Sequence, residues 1–452
     1  MAVSLNPDWA IGHALLTETL INLGRFDAAM AAWKQAFLHK ADWIVTHNIH
    51  WAFFRSGQAD KARDVIKEFL DAQNDFAAEH QLDKLGIRFQ RELPDSIGHI
   101  ALLDYYVKMG ILGKRSAARP VLLINPVLSN PCYMNYWRRY LPDMITDPLA
   151  IKLLSPVAKY LEDHPPIAVM DSSGKNIYGH CSSKQIFGQY IVEKETQAQW
   201  EAGGRGPLLT LTDADNERGR QCLQLLGVPV DAWFVGLHVR YDINNIAEPR
   251  NADISTYLLA MESIIARGGW IICMGNPSMP ALPSLPQVID YAHSPARSDW
   301  MDVFLWAKCR FFIGTQSGPS LVPPTFGIPC IETNLCSLAL RLWFNKGLCI
   351  FKLYWSEREE RHLSFTEATS SALSWAVSTD YLTSKGIKLV DNTPEEINYV
   401  VIEMLQRLEG KLQYSKGDEE LQERFNRLYV DNIQKANERI GRYFLRKWRH
   451  LL

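Results

Sequence analysis

The sequence predicts an α/β protein in which an α-helical segment precedes two domains built on parallel sheets. Residues 1–92 carry helical repeats, and strands alternate with helices after Phe234. Such alternation with short connectors is typical of a parallel, doubly wound sheet. The length of 452 residues also exceeds what one core usually holds, which favours two or three domains.

The helical segment, residues 1–92, contains two similar stretches, LGRFDAAMAAWKQAF and RSGQADKARDVIKEF. Gly24 and Gly57 lie 33 residues apart, close to the spacing of about 34 in tetratricopeptide repeats. Matching residues follow each glycine: Phe26, Ala29, Trp33 and Ala36 in the first stretch, and Ala59, Ala62, Ile66 and Phe69 in the second. We therefore expect tetratricopeptide-like repeats, with an ordinary helical hairpin as the alternative.

Residues 93–228 are predicted to form a first α/β domain. RPVLLINPV (Arg119 to Val127) is an apolar run ending in Asn-Pro, as expected of a buried strand and its loop. DPLAIKLLSPVAKYLED predicts a helix interrupted near Pro156. AVMDSSGKNIYGHCSS predicts another strand before a Ser/Gly loop.

Residues 229–395 give the clearest pattern and are predicted to form a second α/β domain. Strands are expected at Phe234–Arg240, Trp270–Gly275, Gln287–Ala292, Arg310–Gly314 and Ile328–Asn334, and helices at Ile254–Gly269 and Ser298–Cys309. Ser298 is a suitable N-cap, and Gly268-Gly269 a suitable helix stop. TPEEINYVVIEMLQRLEGKL leads into predicted C-terminal helices, residues 396–452.

Two strand ends carry polar residues that suit a phosphate, and open parallel sheets bind ligands at the carboxyl ends of their strands. His238 and Arg240 point to one face of the first strand, and an arginine can hold phosphate through two parallel hydrogen bonds. Thr315, Ser317 and Gly318 form a turn whose N–H and hydroxyl groups suit a diphosphate. The alternatives are a surface ion pair, a core imidazole and an ordinary small-residue turn.

These residues resemble a known family. HVR, with Glu248 ten residues after the histidine, is similar to the donor-site motif of GDP-fucose-dependent fucosyltransferases. Asp302 in WMDVFLWAKCRFFIGTQSG, with Ser317 after it, is similar to their second donor motif. A closer resemblance is to a group of bacterial glycosyltransferases that often carry tetratricopeptide repeats ahead of the enzyme. It rests on the runs RNADISTYLLAMESIIARGGWIICMG and VPPTFGIPC. The resemblance covers residues 230–335 well and the rest of the chain more weakly.

The resemblance implies a GT-B-like fold of two Rossmann-type domains, in which residues 93–228 form the acceptor side. It also implies that the protein is an inverting, metal-independent glycosyltransferase. A nucleotide-sugar, with a GDP-sugar favoured, would be the co-substrate, and no cofactor is expected. The implied donor-binding residues are His238 near the nucleoside, Arg240 at the β-phosphate, Gly275, Asp302 at the base, and Thr315, Ser317 and Gly318 at the diphosphate. Glu248 is the first candidate for the base that deprotonates the acceptor hydroxyl, and Asp242 the second. Tyr241 stands where the motif usually has a second basic residue, which leaves the donor sugar open.

Composition and charge narrow the function further. The formal net charge of -2 argues against a nucleic-acid partner. Eight cysteines form no C-x-x-C pair, and no D-x-D pair stands at a strand end, so we expect no metal site. No stretch approaches the roughly 20 apolar residues of a membrane span, and the N-terminus lacks the features of a signal peptide. We therefore expect a cytoplasmic protein.

The last segment, ERIGRYFLRKWRHLL (residues 438–452), predicts a basic amphipathic helix. It could make peripheral contact with anionic lipid at the inner face of a membrane, or dock on the protein through its apolar stripe. That stripe consists of Ile440, Phe444, Leu445, Trp448, Leu451 and Leu452.

Two other functions stay open at this point. One is a catalytically inactive scaffold that uses the helical repeats, and the other is a different nucleotide-dependent enzyme on a doubly wound sheet. No G-x-G-x-x-G opens a helix and no G-x-x-x-x-G-K-[ST] occurs, which disfavours dinucleotide-binding and P-loop enzymes. In a glycosyltransferase, the repeats are expected to position a glycan, lipid-linked or protein acceptor. His180, Arg250 and His293 are weaker candidates for the cleft.

Overall fold

The computed structural model of the chain describes residues 6–39, 43–79, 87–90, 97–113, 119–123, 129–141, 144–154, 188–338, 344, 347–369, 373, 379–428 and 438–452. Its helices are α1 (Ala10–Asn22), α2 (Phe26–Leu38), α3 (Trp43–Arg55), α4 (Ala59–Glu79), α5 (Ile97–Ala101), α6 (Leu103–Ile111), α7 (Pro131–Trp137), α8 (148–154), α9 (Gly188–Ala202), α10 (Asp213–Leu225), α11 (Leu258–Ile265), α12 (Asp299–Lys308), α13 (Phe365–Thr369), α14 (Thr379–Ser384), α15 (Pro394–Leu408), α16 (Lys416–Arg427) and α17 (Arg442–Lys447).

The strands are β1 (Ile87–Gln90), β2 (Arg119–Leu123), β3 (Met144–Ile145), β4 (Phe234–His238), β5 (Trp270–Cys273), β6 (Val288–Asp290), β7 (Phe312–Gly314), β8 (Cys330–Leu335), β9 (Leu348–Phe351), β10 (Leu353–Ser356), β11 (Arg361–His362), β12 (Ile387–Val390) and β13 (Arg439–Ile440). Short 3-10 helices lie at Ile254–Tyr257, Tyr291–His293, Gly318–Leu321, Pro323–Phe326 and Arg449–Leu451. The strands form one seven-stranded sheet and two three-stranded sheets.

The N-terminal helices α1–α4 form two helix pairs. Gly24 and Gly57 occupy the turns with φ of +70° and +76°, a conformation that glycine adopts at little cost. Ala29 and Ala62, 33 residues apart, are both fully buried, and the N–H of each bonds the carbonyl four residues before it. The segment therefore repeats its helix pair with the predicted period, while its assignment to the tetratricopeptide class stays a prediction.

The seven-stranded sheet has the order β13-β9-β8-β7-β4-β5-β6, and all its neighbouring strands are parallel. The chain runs from β4 through β5 to β6 on one side, and then through β7, β8, β9 and β13 on the other. β4 and β7 therefore flank the topological switch point, where open α/β sheets bind their ligands. The predicted parallel sheet is confirmed. Four of its predicted strands are shorter than expected, and the fifth, β8, begins two residues later and ends one residue later than predicted.

Both faces of this sheet are covered, so its central strands are buried along their whole length. All five residues of β4 and all six of β8 are buried. On one face, Leu237 and Ile331 pack with α11 and α15–α17. On the other, Phe234 and Phe312 pack with α5–α7, α10 and α12.

Residues 93–228 only partly follow the predicted pattern. β2 and β3 form a small parallel sheet with β1, which lies before this range in the segment predicted to be helical, and β2 begins at the predicted Arg119. Helices α5–α7, α9 and α10 share one core with the seven-stranded sheet, through residues such as Trp137 and Phe304. AVMDSSGKNIYGHCSS, which includes His180, lies outside the described residues. The GT-B layout and the domain limits stay predictions.

The C-terminal segment differs from the helix that its sequence predicts. Arg439–Ile440 forms β13, because its backbone pairs with β9 at the edge of the large sheet. The apolar stripe beyond it is buried: Phe444 is 1% exposed and Leu445 2%. Arg446 holds Asp418 through bonds of 2.6 and 2.7 Å, and Lys447 lies 2.9 Å from Glu396. The segment thus docks on the protein. In the described part of the chain, no helix is both long and apolar enough to cross a membrane.

Candidate functional site

The carboxyl ends of β4 and β7 open into a polar cavity of about 450 Å³. Five of the predicted donor-binding residues line it: His238, Arg240, Gly275, Asp302 and Ser317. Asp242 lines it as well. The switch point of the sheet therefore brings together side chains from two strand ends and from α12.

Arg240 is fixed at this edge by its own backbone. Its N–H donates to Thr315 Oγ1 at 2.9 Å, and the Thr315 N–H donates to the His238 carbonyl at 3.2 Å. These two bonds join the ends of β4 and β7. Arg240 Nε is buried, and no described residue accepts a hydrogen bond from it. Its guanidinium lies 3.7 Å from Asp242 Oδ2. The cavity wall thus carries a positively charged side chain with one unused donor, which suits an anion.

Two other lining residues carry unused hydrogen-bonding groups. Ser317 Oγ and Trp306 Nε1 are buried and have no hydrogen-bond partner among the described residues. A buried polar group without a partner costs about 1–3 kcal/mol, which a bound ligand can recover. Trp306 was not predicted. It lies one helical turn after Asp302 on α12, and that spacing is the sequence signal for its place in the site.

His238 is neutral and presents a hydrogen-bond acceptor. It is 9% exposed, and its Nδ1 lies 3.1 Å from the Met274 carbonyl. Because a carbonyl only accepts, Nδ1 carries the proton and Nε2 keeps its lone pair. Burial lowers the pKa of His238; the bond to Met274 opposes this, and the charge of Arg240 adds to it. A neutral imidazole of this kind can accept a ligand hydroxyl.

Asp302 lies in the first turn of α12. Burial raises its pKa to about 6, although the Tyr291 hydroxyl and the Arg297 charge both lower it. The predicted cap of α12 is confirmed, since Ser298 Oγ accepts from the Met301 N–H at 3.2 Å. Near neutral pH the side chain is thus a carboxylate that can accept from a ligand N–H, and modest acidification would protonate it.

The three remaining predicted donor residues serve different purposes. At Gly275 a Cβ atom would lie 2.5 Å from Met279 Sδ, so a larger residue in the loop after β5 would require the Met279 side chain to move. At Gly318 a Cβ atom would lie 3.1 Å from the Gly98 nitrogen, at the start of α5. Thr315 is fully buried and its hydroxyl is already engaged. Gly318 and Thr315 therefore support the site without lining it.

The two candidate bases lie in different places. Glu248 pairs with Arg250 Nε at 2.6 Å, and its side chain is 11% exposed. It lines a different cavity, of about 740 Å³. Asp242 lines the polar cavity with a side chain that is 34% exposed. The weaker candidate His293 also has a partner, since its Nδ1 is hydrogen-bonded to the Asp290 carboxylate at 2.9 Å. In the described ranges, no group of three or more His, Cys, Asp or Glu could hold a metal ion.

Fold and site together define a doubly wound α/β protein with a polar ligand site at the switch point of its sheet. Neither a family model nor a curated protein sequence matches the chain. The structure is similar to a glycosyl transferase family 9 protein from Veillonella parvula DSM 2008, with a TM-score of 0.35 and 10% identity over 66% of this chain and 95% of that one.

It is also similar to the bacterial iron-containing dodecameric glycosyltransferase TibC from enterotoxigenic E. coli H10407. The TM-score is 0.31 and the identity 12%, over 58% of this chain and 61% of that one. Similarity at this level identifies neither the family nor the activity of the chain. The functional argument therefore depends on the cavity itself.

Proposed function

We propose that the chain is a glycosyltransferase that takes a sugar from a nucleotide-sugar donor and holds the donor diphosphate in the polar cavity. The observation that carries this proposal is the pair of buried, unpartnered groups Arg240 Nε and Ser317 Oγ, one from each strand end of the switch point. A diphosphate offers charged oxygens to both groups at once. A GDP-sugar is favoured, because Asp302 can accept hydrogen bonds from the N–H groups of guanine.

The proposed reaction is an inverting displacement at the anomeric carbon. The acceptor hydroxyl forms a new C–O bond on one face of the sugar while the bond to the diphosphate oxygen breaks on the other. The electron pair leaves with the diphosphate, and Arg240 stabilises the charge that develops there without a metal ion. Asp242 takes the hydroxyl proton. It replaces Glu248 as the favoured base, because Glu248 faces another cavity and is paired with Arg250.

The acceptor is proposed to be a glycan, a lipid-linked glycan or a protein. The helix pairs α1–α4 would position it, since stacked helix pairs offer extended binding surfaces. Deletion of residues 1–79 should then raise the KM for the acceptor and leave nucleotide affinity unchanged.

Thermal unfolding with GDP, UDP, ADP and CMP tests the donor site. One nucleotide should raise the Tm clearly, since a ligand at 100 times its Kd stabilises by about 2.7 kcal/mol. Arg240→Ala should abolish the shift and the transfer activity, with a loss of at least about 100-fold in rate. Arg220→Ala is the matched control, because Arg220 is 55% exposed on α10 and lies outside the cavity. Failure of all four nucleotides to stabilise the chain would favour the inactive scaffold.

A further inference from the structure

A second and larger cavity adjoins the polar one. It has a volume of about 740 Å³ and lies between the other face of β4, the loop 241–254, and the α14–β12 segment. Leu237, Val239, Leu382 and Ile387 supply apolar walls. The volume is in the range of sites that take drug-sized ligands. Three residues line both cavities: Tyr241, Met274 and Met279.

The charged groups of this larger cavity already have partners within the protein. Lys352 Nζ lies 2.8 Å from Asp391 and donates to the Asn251 carbonyl at 2.6 Å. Glu248 is paired with Arg250. The other charged lining residues are engaged as well: Asp253 with the Ser255 N–H, Asp290 with the Leu282 N–H and Lys388 with Glu357. What the cavity offers to a ligand is therefore mainly apolar surface.

This chemistry excludes the charged and polar parts of a nucleotide-sugar. Four carboxylates and two ammonium groups line the cavity, so an entering phosphate would meet a net negative surround. A nucleobase would lose hydrogen bonds to water, and the charged side chains of the cavity that could replace them already have partners. A neutral alkyl or aryl group makes no hydrogen bonds to water that it could lose, and its transfer from water into the cavity is favourable.

We propose, on the basis of the glycosyltransferase function argued above, that the larger cavity holds a neutral alkyl or aryl group of the sugar acceptor. Tyr241 lines both cavities and directly precedes Asp242, the proposed base. An acceptor anchored by its apolar group would therefore present a hydroxyl past Tyr241 to Asp242. The polar cavity selects the donor, and the apolar one selects the acceptor by its hydrophobic group.

Calorimetric titration with glucose and with hexyl, heptyl and octyl β-D-glucopyranoside, each below its micellar concentration, tests the cavity. Glucose should not bind, and the affinity of the alkyl glucosides should rise about fourfold with each added methylene, the factor that about 0.8 kcal/mol per buried methylene gives. Binding should persist at saturating nucleotide, because the two ligands occupy different cavities. Affinity independent of chain length, or mutual exclusion with nucleotide, would overturn the inference.

Two isoleucines of one loop provide a matched pair of variants. Ile246 is 72% exposed and lines the cavity, whereas Ile243 is 57% exposed and lines neither cavity. Ile246→Asp should weaken heptyl glucoside binding about tenfold, and Ile243→Asp should leave it unchanged. Ala252→Phe, which places a large side chain in the wall, should abolish glucoside binding and keep the nucleotide shift. Equal glucoside binding by Ile246→Asp and Ile243→Asp would count against the proposed site.

The nucleotide titration separates failure of this inference from failure of the proposed function. A chain that binds nucleotide but no alkyl glucoside retains the donor site and refutes the apolar subsite. A chain that binds alkyl glucosides but no nucleotide refutes the transferase and the acceptor role together. With the donor present, at least one of heptyl β-D-glucoside, galactoside and mannoside should gain one sugar residue by mass spectrometry. Binding of all three without transfer would refute the acceptor role.

Discussion

Arg240, Trp306 and Ser317 each bring a buried hydrogen-bonding group to the polar cavity and leave it unpaired within the described part of the protein. Such groups reduce the free energy of unfolding by about 1–3 kcal/mol each. Thr315 stands only two residues before Ser317, yet its hydroxyl is used by the Arg240 N–H. The Ser317 hydroxyl is therefore available to a ligand, whereas the Thr315 hydroxyl stabilises the site itself.

Ser317→Ala tests this distinction. Because Ser317 Oγ has no partner among the described residues, its removal should leave the ligand-free protein unchanged or up to about 1 kcal/mol more stable. Nucleotide affinity should fall about 10-fold or more, since a hydrogen bond to a charged group contributes about 1.5–3 kcal/mol. Urea unfolding and calorimetric titration measure the two effects.

Ser320→Ala is the control for Ser317→Ala. The Ser320 hydroxyl donates to the Ser317 carbonyl at 2.7 Å, with Glu332 Oε1 3.1 Å away as the alternative acceptor, so the Ser320→Ala variant should lose stability. A Ser317→Ala protein that loses stability and keeps its nucleotide affinity would show that this hydroxyl has a structural role instead.

Asp302 should make nucleotide binding depend on pH. Burial raises its pKa to about 6, and a carboxylate that reads a base must be ionised to accept from the base N–H. Affinity should therefore rise between pH 5 and 7 with a midpoint near 6. The stability of the ligand-free protein should change in the opposite direction. The pKa of Asp302 is about 6 in the folded state and 3.8 in the unfolded state. Protonated Asp302 therefore adds to the free energy of unfolding below pH 3.8, and this gain is lost as the pH rises through about 6.

Calorimetric titrations and urea unfolding over this pH range measure both effects. Asp302→Asn should remove both dependences, because the amide does not titrate. If the variant kept a midpoint near pH 6 in its affinity, another group, such as the nucleotide phosphate, would be responsible.

At the scale of single elements, α12 carries both Asp302 and Trp306 into the cavity, so its N-terminus matters for the site. Ser298→Ala removes the cap bond to the Met301 N–H and should cost about 1 kcal/mol of unfolding free energy. Ser298→Asp should retain most of that stability, since aspartate caps equally well. Urea unfolding of both variants checks this, and an equal loss in the two would show that the hydroxyl matters for another reason.

The elements predicted from sequence are those with local signals. The apolar run of β4, the Ser298 cap and the glycine stop after α11 depend on neighbouring residues alone, and the structure confirms them. β13 has no such signal. Its two residues lie in a segment with helical periodicity, and only the pairing with β9 makes them a strand. Tertiary contacts outweigh local preference there.

The candidate site also combines residues that local sequence signals position with residues that distant contacts position. His238, Arg240 and Ser317 stand at strand ends, where topology fixes their position, and all three line one cavity. Their roles in donor binding stay predictions. Glu248 lies in a loop whose course depends on distant contacts, such as the Lys352 ammonium bound to the Asn251 carbonyl. Its motif spacing therefore did not predict its surroundings.

On the scale of the whole molecule, the site depends on packing between distant parts of the chain. The core on one face of the sheet joins helices of residues 97–225 to α12 and β7. α5 approaches the turn after Ser317 so closely that a Cβ atom on Gly98 would lie 2.9 Å from Gly318 Cα. No larger residue fits at Gly98 without a shift of one element or the other.

Gly98→Ala should therefore weaken nucleotide binding without touching the ligand. The added methyl group must displace either α5 or the Ser317–Gly318 turn, and overpacking of this kind costs about 1–3 kcal/mol. We expect a lower Tm together with a roughly tenfold loss of nucleotide affinity, measured by thermal unfolding and calorimetric titration. Gly206→Ala is the matched control, because a Cβ atom there meets nothing within 4 Å, and it should change neither property. If Gly98→Ala lowered the Tm and left the affinity intact, α5 alone would absorb the shift, and the turn that carries Ser317 would be positioned independently of residues 97–141.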